Sequence, residues 1–315
     1  MPCKKTEWLK FSSNQEEIAF PLAIIEGTKP GPTVTITAGI HGCEYPGIAS
    51  AIRLFKELTP ETVAGKIQIV TISSLKAFES RNMFVSPVDG KNPNRVFPGD
   101  KNGSYTEALV YYLFNEVILK GNYHLDLHGG DMVEALEPFS IYHKSGDREI
   151  DEKSLEIVKY YGLKNILSTT LTGSWPDPGS AYANSSEHKI PGAILEAGSI
   201  GQLDEESVNL HMKGLYNVLR YLGCLEGKPV IPKDLTFYDE FVWVYTPKKG
   251  IFYTKVNVGD DVSKSECVGT VEDYFGNQIE EIPSPIDGKV MFLTTSPAVK
   301  DNGLLMGLGG KPHKN

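Results

Sequence analysis

Residues 33–58 read TVTITAGIHGCEYPGIASAIRLFKEL, an uncharged, β-branched run that passes through a glycine-flanked turn into a helical pattern. TVTITAGI (33–40) lies between KPGP and HGCEYPG, which predicts a buried strand stopping at a tight turn. Ile48, Ile52, Phe55 and Leu58 then recur at helical spacing, with Pro46 and Gly47 near the helix start. The alternation continues along the chain. KIQIVTI (66–72), YHLDLHGG (123–130) and AILEAGS (193–199) read as strands, the last with Glu196 as its only charge. TEALVYYLFNEVI (106–118), SLEIVKYYGL (154–163) and VNLHMKGLYNVLRYLG (208–223) read as helices. Buried strands alternating with helices predict an α/β sheet, mostly parallel inside and covered by helices on both faces.

The pattern changes after residue 222. GCLEGKPVIPKD (223–234) has the Gly, Pro and charge content of a boundary. Beyond it, FVWVYTP, GIFYTKVNVGDDV, ECVGTVED, QIEEIPSPIDGKVMFLTT and NGLLMGLG are short strands broken by Gly, Pro and Asp turns. The expected organisation is therefore an α/β domain over residues 1–228 and a small all-β barrel or sandwich over residues 229–315.

Composition narrows the function. With 40% hydrophobic residues the 315-residue chain can build a core, and its net charge of −9 argues against general nucleic-acid binding, which needs clustered Lys and Arg. No apolar run approaches the roughly 20 residues that span a bilayer, and MPCKKTEWLK lacks the apolar centre of a secretory signal. A cytoplasmic protein with no membrane partner is expected. Cys3, Cys43, Cys224 and Cys267 are scattered without paired spacing, in keeping with reduced thiols. Oligomeric state is not readable, and homo-oligomerisation is left open.

The turn after the first strand places His41 and Glu44 three residues apart. Hydrolytic zinc sites commonly combine two His and one carboxylate and keep a fourth position for water. A third ligand should come from another strand end, because the strand ends of an α/β sheet converge on one crevice. His128 ends a predicted strand and is followed by two glycines, and Asp126 is placed to orient a ligand histidine. Cys43 lies between two of these ligands and is read as packing. Glu196, a carboxylate in an apolar strand, is the candidate general base, its pKa raised by burial. In NPNRVFPGD (92–100), Asn94 and Arg95 set an amide beside a guanidinium suited to a carboxylate, and Arg81 in AFESRNMF is a second candidate cation for an oxyanion.

GIHGCE, NPNRVFPGD, LDLHGG and AILEAG, in that order, resemble the succinylglutamate desuccinylase/aspartoacylase family of zinc deacylases, which share a carboxypeptidase-like (M14-type) fold. The resemblance spans about residues 20–225. It implies one Zn2+ per chain held by His41, Glu44 and His128, and Glu196 as the catalytic glutamate. It further implies Asn94 and Arg95 on a substrate carboxylate, and Arg81 polarising the scissile carbonyl. Tyr182 matches a substrate-binding tyrosine, but Ser186 stands where aspartoacylases carry an arginine, which argues against N-acetylaspartate. The activity implied is hydrolysis of the amide bond of a small N-acyl amino acid or related N-acylated amine, with Glu196 activating the zinc-bound water. A metallocarboxypeptidase acting on peptide C-termini is the alternative within hydrolases, and a non-catalytic ligand-binding protein the alternative outside them. VNVGDDVSKSECVGTVED with EIPSPIDGKVMF resembles the barrel-sandwich fold of biotinyl and lipoyl carriers. EDYFGNQIEE (272–281) carries no lysine to modify, so the C-terminal region is expected to border the cleft and limit substrate size instead.

Overall fold

The computed structural model describes residues 1–13, 16–169 and 179–314. Its first half runs β1 (Cys3–Ser12), β2 (Glu17–Glu26), β3 (Lys29–Ala38), α1 (Tyr45–Glu57), β4 (Ala64–Val70), α2 (Leu75–Ser80), α3 (Tyr105–Glu116), β5 (Tyr123–His128), β6 (Glu134–Leu136) and β7 (Phe139–His143). There follow α4 (Arg148–Tyr161), β8 (Asn165–Thr169), α5 (Ala181–Glu187), β9 (Gly192–Glu196) and α6 (Glu205–Tyr221). The remainder is β10 (Thr236–Thr246), β11 (Gly250–Thr254), β12 (Asp261–Val262), β13 (Cys267–Glu272), β14 (Gln278–Pro283), β15 (Gly288–Thr294), β16 (Ala298–Val299) and β17 (Gly303–His313).

A mixed sheet orders the strands β1-β2-β4-β3-β5-β9-β7-β8-β10-β17-β15-β12. The interior quartet β4, β3, β5 and β9 is parallel, as the alternating pattern predicts. Alternate residues of β2 show that both faces are covered. Ala23 and Ile25 pack into a core shared with Leu54 of α1, Ile157 of α4 and Leu215 of α6, whereas Leu22 and Ile24 join Leu109, Leu113 and Phe114 of α3. Removing a side chain as completely enclosed as Leu54 costs about 2–5 kcal/mol.

The sheet does not stop where the helices do. β10 pairs in parallel with β8 through Thr236–Tyr238, and β15 pairs with β6 through Phe292–Thr294. The strands on either side of residue 228 therefore share one hydrogen-bonded sheet. A second sheet, ordered β14-β13-β11-β16, closes over that extension. Val244, Phe252, Val271, Val290 and Leu308 fill the space between as a sandwich core. The predicted helix-free β region is present, and its strands extend the principal sheet.

This geometry positions the site. Among the parallel strands, Ala38 of β3 pairs with Leu127 of β5, and His128 pairs with Glu196 of β9, so the turn after β3 and two strand ends meet along one rim.

Candidate metal centre and cleft

The turn after β3 is built to aim two side chains. Gly39 adopts φ 63°, which reverses the chain where a larger residue would be strained. A Cβ on Gly42 would lie 2.2 Å from the backbone nitrogen of Phe78, so only glycine fits between His41 and Cys43. Glu44 occupies the N-cap of α1 yet makes no capping hydrogen bond. Its carboxylate turns to the histidines: Oε1 lies 2.6 Å from His41 Nδ1 and Oε2 3.0 Å from His128 Nδ1. The imidazole planes are inclined at 80°, with centroids 5.1 Å apart.

The far side of each ring is occupied. His41 Nε2 donates to Asn92 Oδ1 at 3.1 Å, and His128 Nε2 donates to Asp126 Oδ2 at 3.1 Å. With both Nε2 atoms engaged, each histidine turns its Nδ1 toward Glu44. Glu44 is buried, with Oε1 facing His41 Nδ1 and Oε2 facing His128 Nδ1. One ligand atom from each of the three residues lies within 4.8 Å of the others, close enough together to hold one metal ion. The donor set of two nitrogens and one carboxylate fits zinc. Burial opposes ionisation of Glu44, but the neighbouring His41 and His128 pull its pKa down to about 2.

Further polar groups hold the ligands' own supports. Asp126 Oδ1 accepts from Thr37 at 2.6 Å, and Thr37 contacts His124, whose other ring nitrogen meets Ser185 of α5. His211 of α6 is buried, and its Nε2 lies 3.1 Å from the carbonyl oxygens of both His128 and Ala197. It thereby clamps the ends of β5 and β9 together, while Tyr161 donates to its Nδ1 at 2.6 Å. Sequence reading missed Asn92 and His211. A histidine on the apolar face of a helix reads as core, and a loop asparagine carries no local signal.

Around this centre lies a cleft of about 730 Å³, large enough for a small metabolite. Its lining includes His41, Glu44, His128, Asn94, Arg95, Tyr182 and Glu196, so seven of the eight sequence-derived site residues meet there. Burial comes first among the causes that raise Glu196 to about 8, and the negative charges of Glu44 and Asp126 reinforce it against His128. Asn94 Oδ1 accepts from the amide of Ala181 at the start of α5, which ties the Asn94-Arg95 loop to the helix that carries Tyr182. The Tyr182 hydroxyl is 3.1 Å from Thr169 Oγ1. Arg81 is the residue left out. It is exposed, ends α2 in a left-handed conformation (φ 55°), and is not among the lining residues. Cys43 is fully buried with its thiol pushed up to about 12, which matches packing. Ser186 is buried, and His188 bonds the carbonyl of Asn184.

The opposite wall comes from the C-terminal strands: Trp243 and Tyr245 of β10, Phe292 of β15 and Leu304 of β17. Trp243 meets Phe292 edge-to-face at 5.5 Å. The region expected to border the cleft does line it.

A family model describing the succinylglutamate desuccinylase/aspartoacylase catalytic domain matches residues 30–222. Nα-acetyl-L-2,4-diaminobutyric acid deacetylase of Halomonas elongata is 29% identical over 277 residues, covering 84% of this chain and 79% of that protein. A succinylglutamate desuccinylase/aspartoacylase structure from Rhodobacter sphaeroides superposes with a TM-score of 0.87 at 22% identity, covering 100% of this chain and 96% of that one. The product-bound ectoine utilization protein EutE of Ruegeria pomeroyi also gives 0.87 at 22% identity, covering 98% and 95%.

Proposed function

The chain belongs to the succinylglutamate desuccinylase/aspartoacylase family, and on that premise we propose that it is a zinc-dependent deacylase of small N-acyl amino acids or related N-acylated amines. The observation that carries the reading is the convergence of His41 Nδ1, Glu44 and His128 Nδ1, with Glu196 paired beside His128 across β5 and β9. The Halomonas relative acts on an Nα-acetylated amino acid, which makes that class the first substrate to assay.

Bound by His41, Glu44 and His128, zinc would lower the pKa of a water and polarise an acyl carbonyl. The remaining work falls to the chain itself. Glu196 takes the proton from the attacking water and returns it to the leaving nitrogen, a two-way transfer for which its place beside His128 at the strand end suits it. Arg95 and Asn94 hold a substrate carboxylate, and Asn94 is fixed for that task by its bond to Ala181. Tyr182 stands in the same lining, where it can contact the substrate. The aromatic wall of Trp243, Tyr245 and Phe292 narrows the cleft on the remaining side and favours small substrates over peptides.

The test combines metal analysis with an assay. The purified chain should hold about one zinc, release amine from N-acetyl amino acids, lose that activity to a chelator and regain it with zinc. Peptide C-terminal trimming with no release from N-acyl amino acids would replace the deacylase by a carboxypeptidase.

A further inference from the structure

The principal sheet ends, far from the cleft, on a long strand whose outer side is unused. β1 pairs with β2 along its whole length, Cys3–Ser12, and among the described residues no strand lies beyond it. The row of backbone N–H and C=O groups on such an edge is a template for another strand. Lysines commonly shield edges of this kind, and β1 carries Lys4, Lys5 and Lys10. Here each is already engaged within the chain. Lys4 Nζ donates to the carbonyl oxygens of Lys56 and Leu58 at 3.0 and 2.7 Å, while Lys5 meets Glu7 at 2.8 Å and Lys10 meets Glu17 at 3.1 Å.

The face toward α1 is apolar. Thr6 and Trp8 line a groove of about 300 Å³ with Pro21 of β2 and with Ile52 and Phe55 of α1, and Trp8 is 56% exposed. A large indole left in water beside an unpaired edge marks an interaction surface. The order of charges along β1 says what fits it. Two copies of β1 related by a two-fold axis normal to the sheet run antiparallel, and each residue then opposes one on the same face. An axis at Thr6 sets Lys5 opposite the partner's Glu7 and Glu7 opposite the partner's Lys5, four alternating charges in one patch. Cys3 meets the partner's Leu9 on that face. On the α1 face Trp8 meets the partner's Lys4, a residue whose ammonium also sits 4.8 Å over the ring of Phe55. Other registers are poorer. An axis at Glu7 opposes that carboxylate to itself and Lys4 to Lys10, an axis at Lys5 opposes two ammonium groups, and an axis at Trp8 forms no charge pair.

We propose that β1 is the interface of a homodimer, in which two copies of this chain pair β1 with β1 about an axis at Thr6. The two principal sheets then join edge to edge, and Trp8 of each copy is covered by the other. The interface stands independently of the deacylase reading, because β2 and β4 separate β1 from β3 and its ligand turn.

The experiment follows the mass of the full chain by sedimentation and light scattering over a concentration series. Wild type should show twice the mass of one chain. Glu7→Lys gathers four lysines at the axis and should weaken the dimer by about tenfold or more in Kd, as like charges set opposite one another require. Exchanging the charges, Lys5→Glu together with Glu7→Lys, should restore it, a rescue that loss of folding would not give. Thr6→Cys in a Cys3→Ser background places the two thiols together on the axis, so mild oxidation should link two chains, whereas Trp8→Cys in the same background should link none. A wild-type monomer throughout the series overturns the interface. So does a dimer that Glu7→Lys leaves intact, or one that links through Trp8→Cys and not through Thr6→Cys. If Thr6→Cys is not recovered folded, the charge exchange decides alone.

Discussion

On one side of the cleft, His41, Glu44, His128 and Glu196 stand at neighbouring strand ends, each aimed by the turn or strand that carries it. On the other, Trp243, Tyr245, Phe292 and Leu304 arrive from strands of the C-terminal region. The first wall is polar and tightly bonded, with Asn92, Asp126, Thr37 and His211 fixing its parts. The second is apolar and held by strand pairing and ring packing. Chemistry tolerates little displacement of a proton donor or a ligand, whereas fit to a substrate tolerates more. Substitutions on the two walls should therefore differ in kind as well as size.

The largest effects belong to the polar wall. Glu196→Gln should keep zinc, measured by metal analysis, while kcat falls by about 10³-fold or more. Substantial residual turnover would remove Glu196 from the proton-transfer role. His128→Ala should instead lose the metal, because it deletes one of three ligands. If that variant keeps stoichiometric zinc, the ligand set is wrong. One step out, His211→Leu leaves the His128 and Ala197 carbonyls and the Tyr161 hydroxyl without their partner. It should lower stability by about 1–3 kcal/mol in thermal or denaturant unfolding. Zinc affinity should also weaken by about 10- to 100-fold, the usual consequence of disturbing groups that orient a ligand. Unchanged zinc affinity would show that His211 serves packing alone.

The apolar wall predicts changes of selectivity. Trp243→Leu should retain zinc and shift kcat/KM by about tenfold or less, in favour of bulkier N-acyl groups. Removing residues 230–315 altogether is a poorer test, because β10 hydrogen-bonds to β8 and β15 to β6. Such a truncation strips partners from the principal sheet and should yield insoluble protein. Recovery of a folded, selective truncated chain would show that the wall is dispensable.

The same contrast explains what the sequence disclosed. The polar wall was legible because its residues sit in short motifs, HGCE after one buried strand, LDLHGG and AILEAG within two others, so that local pattern and three-dimensional place coincide. α5 was not legible: AYANSSE is polar in composition yet largely buried, because Asn94 and His124 bond it from other parts of the chain and Asn184 turns back onto the Ser180 carbonyl at the helix start. The β1–β2 hairpin escaped notice because β1 is an edge strand with most of its residues outside the core. Phe292 is brought to the cleft opposite Leu136 by the pairing of β6 with β15, and nothing local to either segment announces that pairing.

Arg81 sharpens the comparison most finely, since sequence order assigns it to the polar wall and its position does not. The resemblance gives Arg81 a carbonyl-polarising role, which requires its guanidinium to reach the reacting atoms. Arg81 instead caps α2 and faces solvent, while Arg95 lines the cleft beside Asn94. An oxyanion donor is worth about 10²–10³-fold in kcat, whereas an exposed arginine outside the site contributes little. Arg81→Ala should therefore change kcat by about threefold or less, and Arg95→Ala should raise KM for carboxylated substrates much more, as loss of a charge-assisted pair requires. A loss of about 10²-fold in kcat at Arg81 with KM unchanged would mean that the α2 terminus moves into the cleft when substrate binds. Arg81 would then join the polar wall as the one part assembled by the substrate, and the division between a fixed chemical wall and an adaptable selective one would fail at that residue.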